Sequence, residues 1–276
     1  SGLAWAGLAV RTIAGEITVT NLAGLADAAA QSGQTVTLAA GTYPLGDYLT
    51  PVVANARVKA HQHTFLTCSG SNNVFRLHGV IIEVDTRLRS AMHMPRDTDD
   101  FAVTGDGNVI EGLTIVETGD GLSPGGAALS IRGKGNTVRG VTLTVCGSTP
   151  YGYGDLFGKG GGDIVLGHMK KSGLLVTGDG TTLSGCTLHM RSFGHGIYLQ
   201  NDAANVTIED CLVEGVVRKT EEMLAETNGP AFNADFRTVI RTRSGEKRIQ
   251  PGYIKSLSED GFRTYGEHTN LVLRNC

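Results

Sequence analysis

The chain has 276 residues, enough for one sizeable hydrophobic core, and its formal net charge of -3 is close to neutral. That balance argues against a nucleic-acid binder working through a broad basic surface, and no apolar run is long enough to cross a bilayer as a helix. Glycine stands at 39 residues, about twice ordinary usage, against 7 prolines; there is no G-x-y period, so collagen is excluded.

Many glycines sit beside Asp or Asn, as turn residues do. The five cysteines, Cys68, Cys146, Cys186, Cys211 and Cys276, include no CxxC pair, and their number and spacing make neither a disulfide framework nor a zinc site. The opening SGLAWAGLAV lacks the basic n-region and clear apolar core of a signal peptide, so the compartment is left open.

Residues 21–33 carry apolar and small side chains at helical spacing, with Asn21 as N-cap, and end at Gly33. A strand is expected from Thr35 to Leu38, followed by a turn from Ala40 to Tyr43. A pattern then recurs. GDGNVIEGLTI from Gly105 has a near copy, GKGNTVRGVTL, 28 residues on at Gly133, and another in GDGTTLSGCTL from Gly178. The turn positions Asn73, Asn108, Asn136, Thr181, Asn205 and Asn270 are spaced by 35, 28, 45, 24 and 65 residues. Periods of this size with strand-like content describe the coils of a solenoid, each placing short parallel strands over those of the last. Val, Ile and Leu would fill its lumen, Cys186 and Cys211 would stack there, and the first helix would cap the open end. Residues 147–163 and 216–250 interrupt the pattern and read as lateral insertions within one domain spanning 1–276.

The capping segment, TVTLAAGTY up to Tyr43 and the Asn/Gly-led coils resemble the pectate-lyase-like right-handed parallel β-helix superfamily. The resemblance implies an all-β solenoid and a secreted or periplasmic setting. It also implies an activity drawn from polysaccharide lyases, glycoside hydrolases, fructotransferases, epimerases or noncatalytic adhesins.

Aligning coils by their turns sets Ser172–Thr177 beside His195–Gln200, with residues 127–132 as the earlier strand. His195, between Gly194 and Gly196, is the central candidate, because imidazole suits proton transfer near neutrality and small neighbours would leave it accessible. Lys170 and Lys171 precede the neighbouring strand, Lys171 as a base and Lys170 as a binding residue; Tyr198 could protonate a leaving oxygen. Arg191, Arg218, Lys219 and Arg237 are candidates for acidic sugar groups, and Tyr151 and Tyr153 for stacking on sugar faces. Glu222, Glu226 and Asp235 are the acids a hydrolase would need, the two glutamates sharing a helical face. No metal ligand set or organic cofactor is indicated; calcium has no supporting motif.

Cationic and imidazole groups suit β-elimination at a uronic acid, so the sequence points to a polysaccharide lyase acting on a poly- or oligosaccharide. Hydrolysis or glycosyl transfer by paired carboxylates, and noncatalytic glycan binding, stand as the alternatives. Neither a nucleic-acid nor a membrane partner is expected; a homo-oligomer is left open.

Overall fold

The computed structural model describes residues 15–49, 64–91, 97–119, 125–147, 170–228, 240–247, 250–256 and 258–276. Three parallel sheets run the length of a β-helix. The first stacks eight strands, from Gly15–Val19 and Gln34–Leu38 through Val74–Arg76, Val109–Glu111, Thr137–Arg139, Thr182–Ser184 and Thr207–Glu209 to Val272–Arg274. The second stacks Gly41–Pro44, Val80–Asp85, Thr114–Thr118, Thr142–Val145, Thr187–Met190 and Leu212–Gly215. The third stacks Thr64–Cys68, Asp99–Val103, Ala127–Ile131, Ser172–Val176, Ile197–Leu199 and Phe262–Thr264. Each coil visits the first, second and third sheet in that order.

Alternation fills the lumen: successive strand side chains point in and out, so register stacks like on like. In the first sheet Val36, Phe75, Ile110, Val138, Leu183 and Ile208 form one buried column. Each such side chain contributes about 1.5–3 kcal/mol through burial. Leu273, next in that column, is 52% exposed, because Val272–Arg274 is the last strand of its sheet.

The helix Leu22–Ala29 forms where expected: Asn21 accepts the Gly24 N–H at 2.8 Å, and Leu22, Leu25, Ala28 and Ala29 are buried. Two local expectations change. A strand, Gly15–Val19, precedes the helix and pairs with Gln34–Leu38, and residues 41–44 are a strand rather than a turn because they pair with residues 80–83.

The repeating turn between third and first sheet is more specific than its asparagines suggested. Its left-handed position holds Asn72, Gly107, Gly135, Gly180, Asn205 and Asn270, with φ between 53° and 68°. Only Asn, Asp and Gly adopt this region cheaply. Asn73, Asn108, Asn136 and Thr181 lie one residue later, fully buried. There each asparagine side chain takes a backbone N–H from the coil before it: Asn73 from Gln34 at 2.8 Å, Asn108 from Asn73 at 3.0 Å, Asn136 from Asn108 at 2.8 Å. Asn205 therefore belongs to the exposed column and Val206 to the buried one. Thr182 pairs with Thr207, so this coil has a period of 25, not 24. The same register stacks Cys186 under Cys211, both buried. Burial pushes the Cys68 thiol up to about 12, as expected of an inert core thiol.

The turns between first and second sheet are two residues long in the regular coils, at 112–113, 140–141, 185–186 and 210–211. The connections from second to third sheet are the variable ones, among them 86–98, 119–126, 146–171 and 216–261. The long connections between the described strands thus all fall at the same corner of the coil.

Candidate functional site

That corner borders a groove of about 530 Å³ lined across five consecutive strands of the third sheet, from Asp97 and Asp99 past Arg132, Lys170 and Ser172 to His195, Tyr198 and Tyr265. Four interstrand steps make the lined length about 19 Å. The strand alignment expected for this wall is the one observed: Leu174 pairs with Ile197 and Leu175 with Tyr198, while Ala127 pairs with Ser172.

His195 stands at the centre, but it is 2% exposed rather than open to solvent. Its flanking glycines serve close packing: a Cβ at Gly194 would meet the Lys171 carbonyl oxygen at 2.1 Å, and one at Gly196 would meet Val213 at 2.4 Å. The ring is fixed from several sides. Its backbone N–H donates to Ser172 Oγ at 3.3 Å and its carbonyl accepts from Gly173 at 2.9 Å. Asp260 Oδ2 lies 3.2 Å from Nδ1, and Glu259 Oε2 lies 3.4 Å from Nε2. The Tyr265 hydroxyl is 3.0 Å from Nε2. The result is an imidazole hydrogen-bonded to a phenol and flanked by two carboxylates, and the phenol, on a residue 37% exposed, opens into the groove.

Tyr198 sits on the other side of the imidazole, with ring centroids 5.3 Å apart. Burial, then the nearby Asp99 and Asp97 carboxylates, push its phenol far above the ordinary range. It is held protonated at any working pH. Two cations complete the surroundings. Lys170 Nζ is 2.5 Å from Glu259 Oε2, and the Arg263 guanidinium is 3.7 Å from Asp260 and 4.7 Å from the centre of the Tyr265 ring. His195, Glu259 and Asp260 place ligand atoms within 4.8 Å of one another, close enough to converge on one cation. Lys170 and Arg263 already lie against both carboxylates.

Lys171 occupies a different place from the one its sequence position suggested. Its ammonium is fully buried, 3.3 Å from Asp100 Oδ1 and 3.3 Å from Glu117 Oε1. Arg89 binds the same oxygens at 2.6 Å and 2.8 Å. Its ammonium has no exposed surface in this quartet, so it is not the open base beside His195 that its place in the sequence suggested. Burial pushes the Glu117 carboxyl up to about 7. Against a burial that would raise it too, Arg89 and then Lys171 hold Asp100 below its ordinary value. The quartet supports the site from behind: the Ser192 hydroxyl donates to the Lys171 carbonyl at 2.6 Å, and the Lys171 N–H donates to Phe193 at 3.1 Å. These bonds seat the turn that delivers His195.

The remaining candidates scatter. Arg191 is exposed at the end of Thr187–Met190 and is not among the described groove-lining residues. Arg218 and Lys219 lie on Val217–Lys219, which pairs antiparallel with Ile254–Ser256, and Arg218 is bound to Glu226. The helix Thr220–Leu224 stops before Glu226, so Glu222 and Glu226 do not share a helical face; Glu222 is exposed. Tyr151, Tyr153, Asp235 and Arg237 lie outside the described residues.

Glu259, Asp260, Arg132 and the groove role of Tyr265 were missed, although the sequence held a signal for most of them. The 65-residue interval from Asn205 to Asn270 applies to the whole coil, as Ile197 pairing with Phe262 shows. Added to His195 it gives Asp260, and added to Gln200 it gives Tyr265. No protein-family model matches the chain, and no curated protein matches it.

Proposed function

We propose that the groove is the active site of a carbohydrate-active enzyme that cleaves a uronic-acid-containing glycan by β-elimination. The observation that carries this reading is the His195–Tyr265 hydrogen bond, with the Asp260 carboxylate 3.2 Å from the other ring nitrogen, at a groove lined by five strands. An elongated polar groove suits a polymer, and the resemblance to the pectate-lyase-like superfamily points the same way.

The chemistry follows from the environments of two phenols. His195 Nε2 takes the proton of Tyr265, and Asp260 stabilises the imidazolium that forms. The Tyr265 phenolate removes the proton at C5 of a uronate whose carboxylate faces Lys170 and Arg263. Those cations stabilise the charge that develops on the carboxylate. As the C4–C5 double bond forms, the C4–O4 bond breaks and the leaving oxygen takes the proton of Tyr198. His195 then releases its proton to solvent, and Tyr198 is reprotonated from solvent, which returns both groups to their starting states. Tyr198 takes the acid's part because burial, then Asp99 and Asp97, raise its phenol, and Tyr265 takes the base's part because its hydroxyl is bound to His195.

Hydrolysis by paired acids needs two carboxyl groups about 5–9.5 Å apart across one bond. Among the described residues the carboxylates that line the groove are Asp97 and Asp99, and both oxygens of Asp99 are already engaged, by the Ala127 N–H and the Arg132 guanidinium, so this pair is poorly suited to act as acid and base. Incubation with uronate-containing glycans tests the reading. Elimination yields the ultraviolet absorbance of an unsaturated uronate, hydrolysis yields reducing ends without it, and an adhesin yields neither. Tyr265→Phe and His195→Ala are expected to lower kcat by about 10²–10⁴-fold with glycan binding retained; unchanged turnover in both would remove the assignment.

A further inference from the structure

The two ends of the groove differ in charge. At the end nearest the strand Asp99–Val103, Asp97 is exposed on the rim. Asp99 is 2% exposed on its side chain, and both its oxygens are engaged, one by the Ala127 N–H at 2.8 Å and one by the Arg132 guanidinium. Arg132 is further held by its Nε on Ser130 Oγ at 3.3 Å. Among the described residues this end therefore carries two carboxylates against one guanidinium, a net charge of −1. Toward the other end the groove is lined by Lys170, bound to Glu259, and by Tyr265, behind whose ring Arg263 lies 3.7 Å from Asp260, so cations and carboxylates balance there.

We infer that the Asp97–Asp99–Arg132 end takes an uncharged sugar, and that the substrate is a glycan in which uronic acids are interspersed with neutral sugars rather than a homopolymer of uronic acid. The inference rests on the reading of the Lys170–Arg263 end as the uronate site. From there to Asp99–Val103 is three strand steps from the His195 strand, about 14 Å. A chain that bridges this distance and carries a carboxylate on every sugar sets one of them against Asp97. The exposed Asp97 carboxylate on the rim then repels that carboxylate directly. A neutral sugar meets instead an acceptor on Asp97 and the exposed guanidinium edge of Arg132, which a buried carboxylate has already oriented. That combination matches the donor and acceptor pattern of sugar hydroxyls.

Binding of two tetrasaccharides to the full chain tests the inference by calorimetry, with Tyr265→Phe present to prevent turnover. One ligand carries uronic acid at every position; the other alternates uronic acid with neutral hexose. The alternating ligand is expected to bind about fivefold to tenfold more tightly at low ionic strength, and the difference is expected to shrink as salt is added. Asp97→Lys should abolish or invert the preference, and the milder Asp97→Asn should reduce it. Equal or tighter binding of the all-uronate ligand, no binding of either, or a preference untouched by both substitutions would overturn the inference. Ultraviolet absorbance from the unsubstituted protein separates this from the elimination reading. Preference for the alternating ligand without the chromophore refutes elimination alone. Fastest elimination from a homopolyuronate refutes the inference alone.

Discussion

At the scale of single residues, two buried titratable side chains do opposite work. His195 is buried yet connected, through Tyr265, to a groove; Lys171 is buried and connected only to other ions. Removing one member of a buried ion cluster leaves its partners unpaired, so Lys171→Met is expected to cost about 3–5 kcal/mol of stability, read by denaturant unfolding. Glu117 adds a pH dependence with a definite sign. Its folded-state value of about 7 lies above its ordinary 4.5. The stability it contributes is therefore complete below about pH 4.5 and fades as pH rises through about 7. Asp100 is shifted the other way and loses its contribution only as pH falls below its ordinary range. The expected outcome is a melting temperature that declines from pH 4.5 to 7 in the unsubstituted protein, with a flatter profile in Glu117→Gln, followed by circular dichroism.

At the scale of elements, the coil is held by a turn whose two adjacent positions have different jobs. The first needs a left-handed backbone; the second is buried, and in three coils its asparagine accepts the N–H of the preceding coil. Asn108→Ala leaves the Asn73 N–H without that acceptor, and about 1–3 kcal/mol of destabilisation is expected from denaturant unfolding. Gly194→Ala attacks the turn that seats His195, where the Lys171 carbonyl leaves no room for a methyl group. It should lower turnover on any cleaved glycan at least as far as His195→Ala does. The parallel coils were legible in the sequence because spacing and alternation are local and repeat. The alignment of Ser172–Thr177 with His195–Gln200 followed from the same periodicity. The distinction between Asn205 and Val206 was not legible, because asparagine satisfies both turn positions and the column changes occupant between coils. The burial of Lys171 was hidden for another reason. Its partners Arg89, Asp100 and Glu117 come from three separate segments, and no local spacing reports that they meet.

At the scale of the molecule, a stack of coils in contact only with neighbours distributes its stability from coil to coil. Amide hydrogen exchange should be slowest in the central strands around Ile131 and Val176. It should quicken toward Val272–Arg274, where Leu273 and Val272 are exposed. Uniform protection through that last strand would contradict the expectation. The three corners of the coil also differ in how they respond to added sequence. One extra residue at 112–113 or 140–141 would turn every following inward side chain outward until the next corner corrected it. At the corner between the second and third sheets, whose connections already vary in length, doubling a connection costs only about 0.6 kcal/mol in closure entropy. The fold thus carries a place where foreign peptide can be grafted without disturbing its lumen, and that place adjoins the groove, so new recognition can be acquired there by insertion while the coils remain as they are.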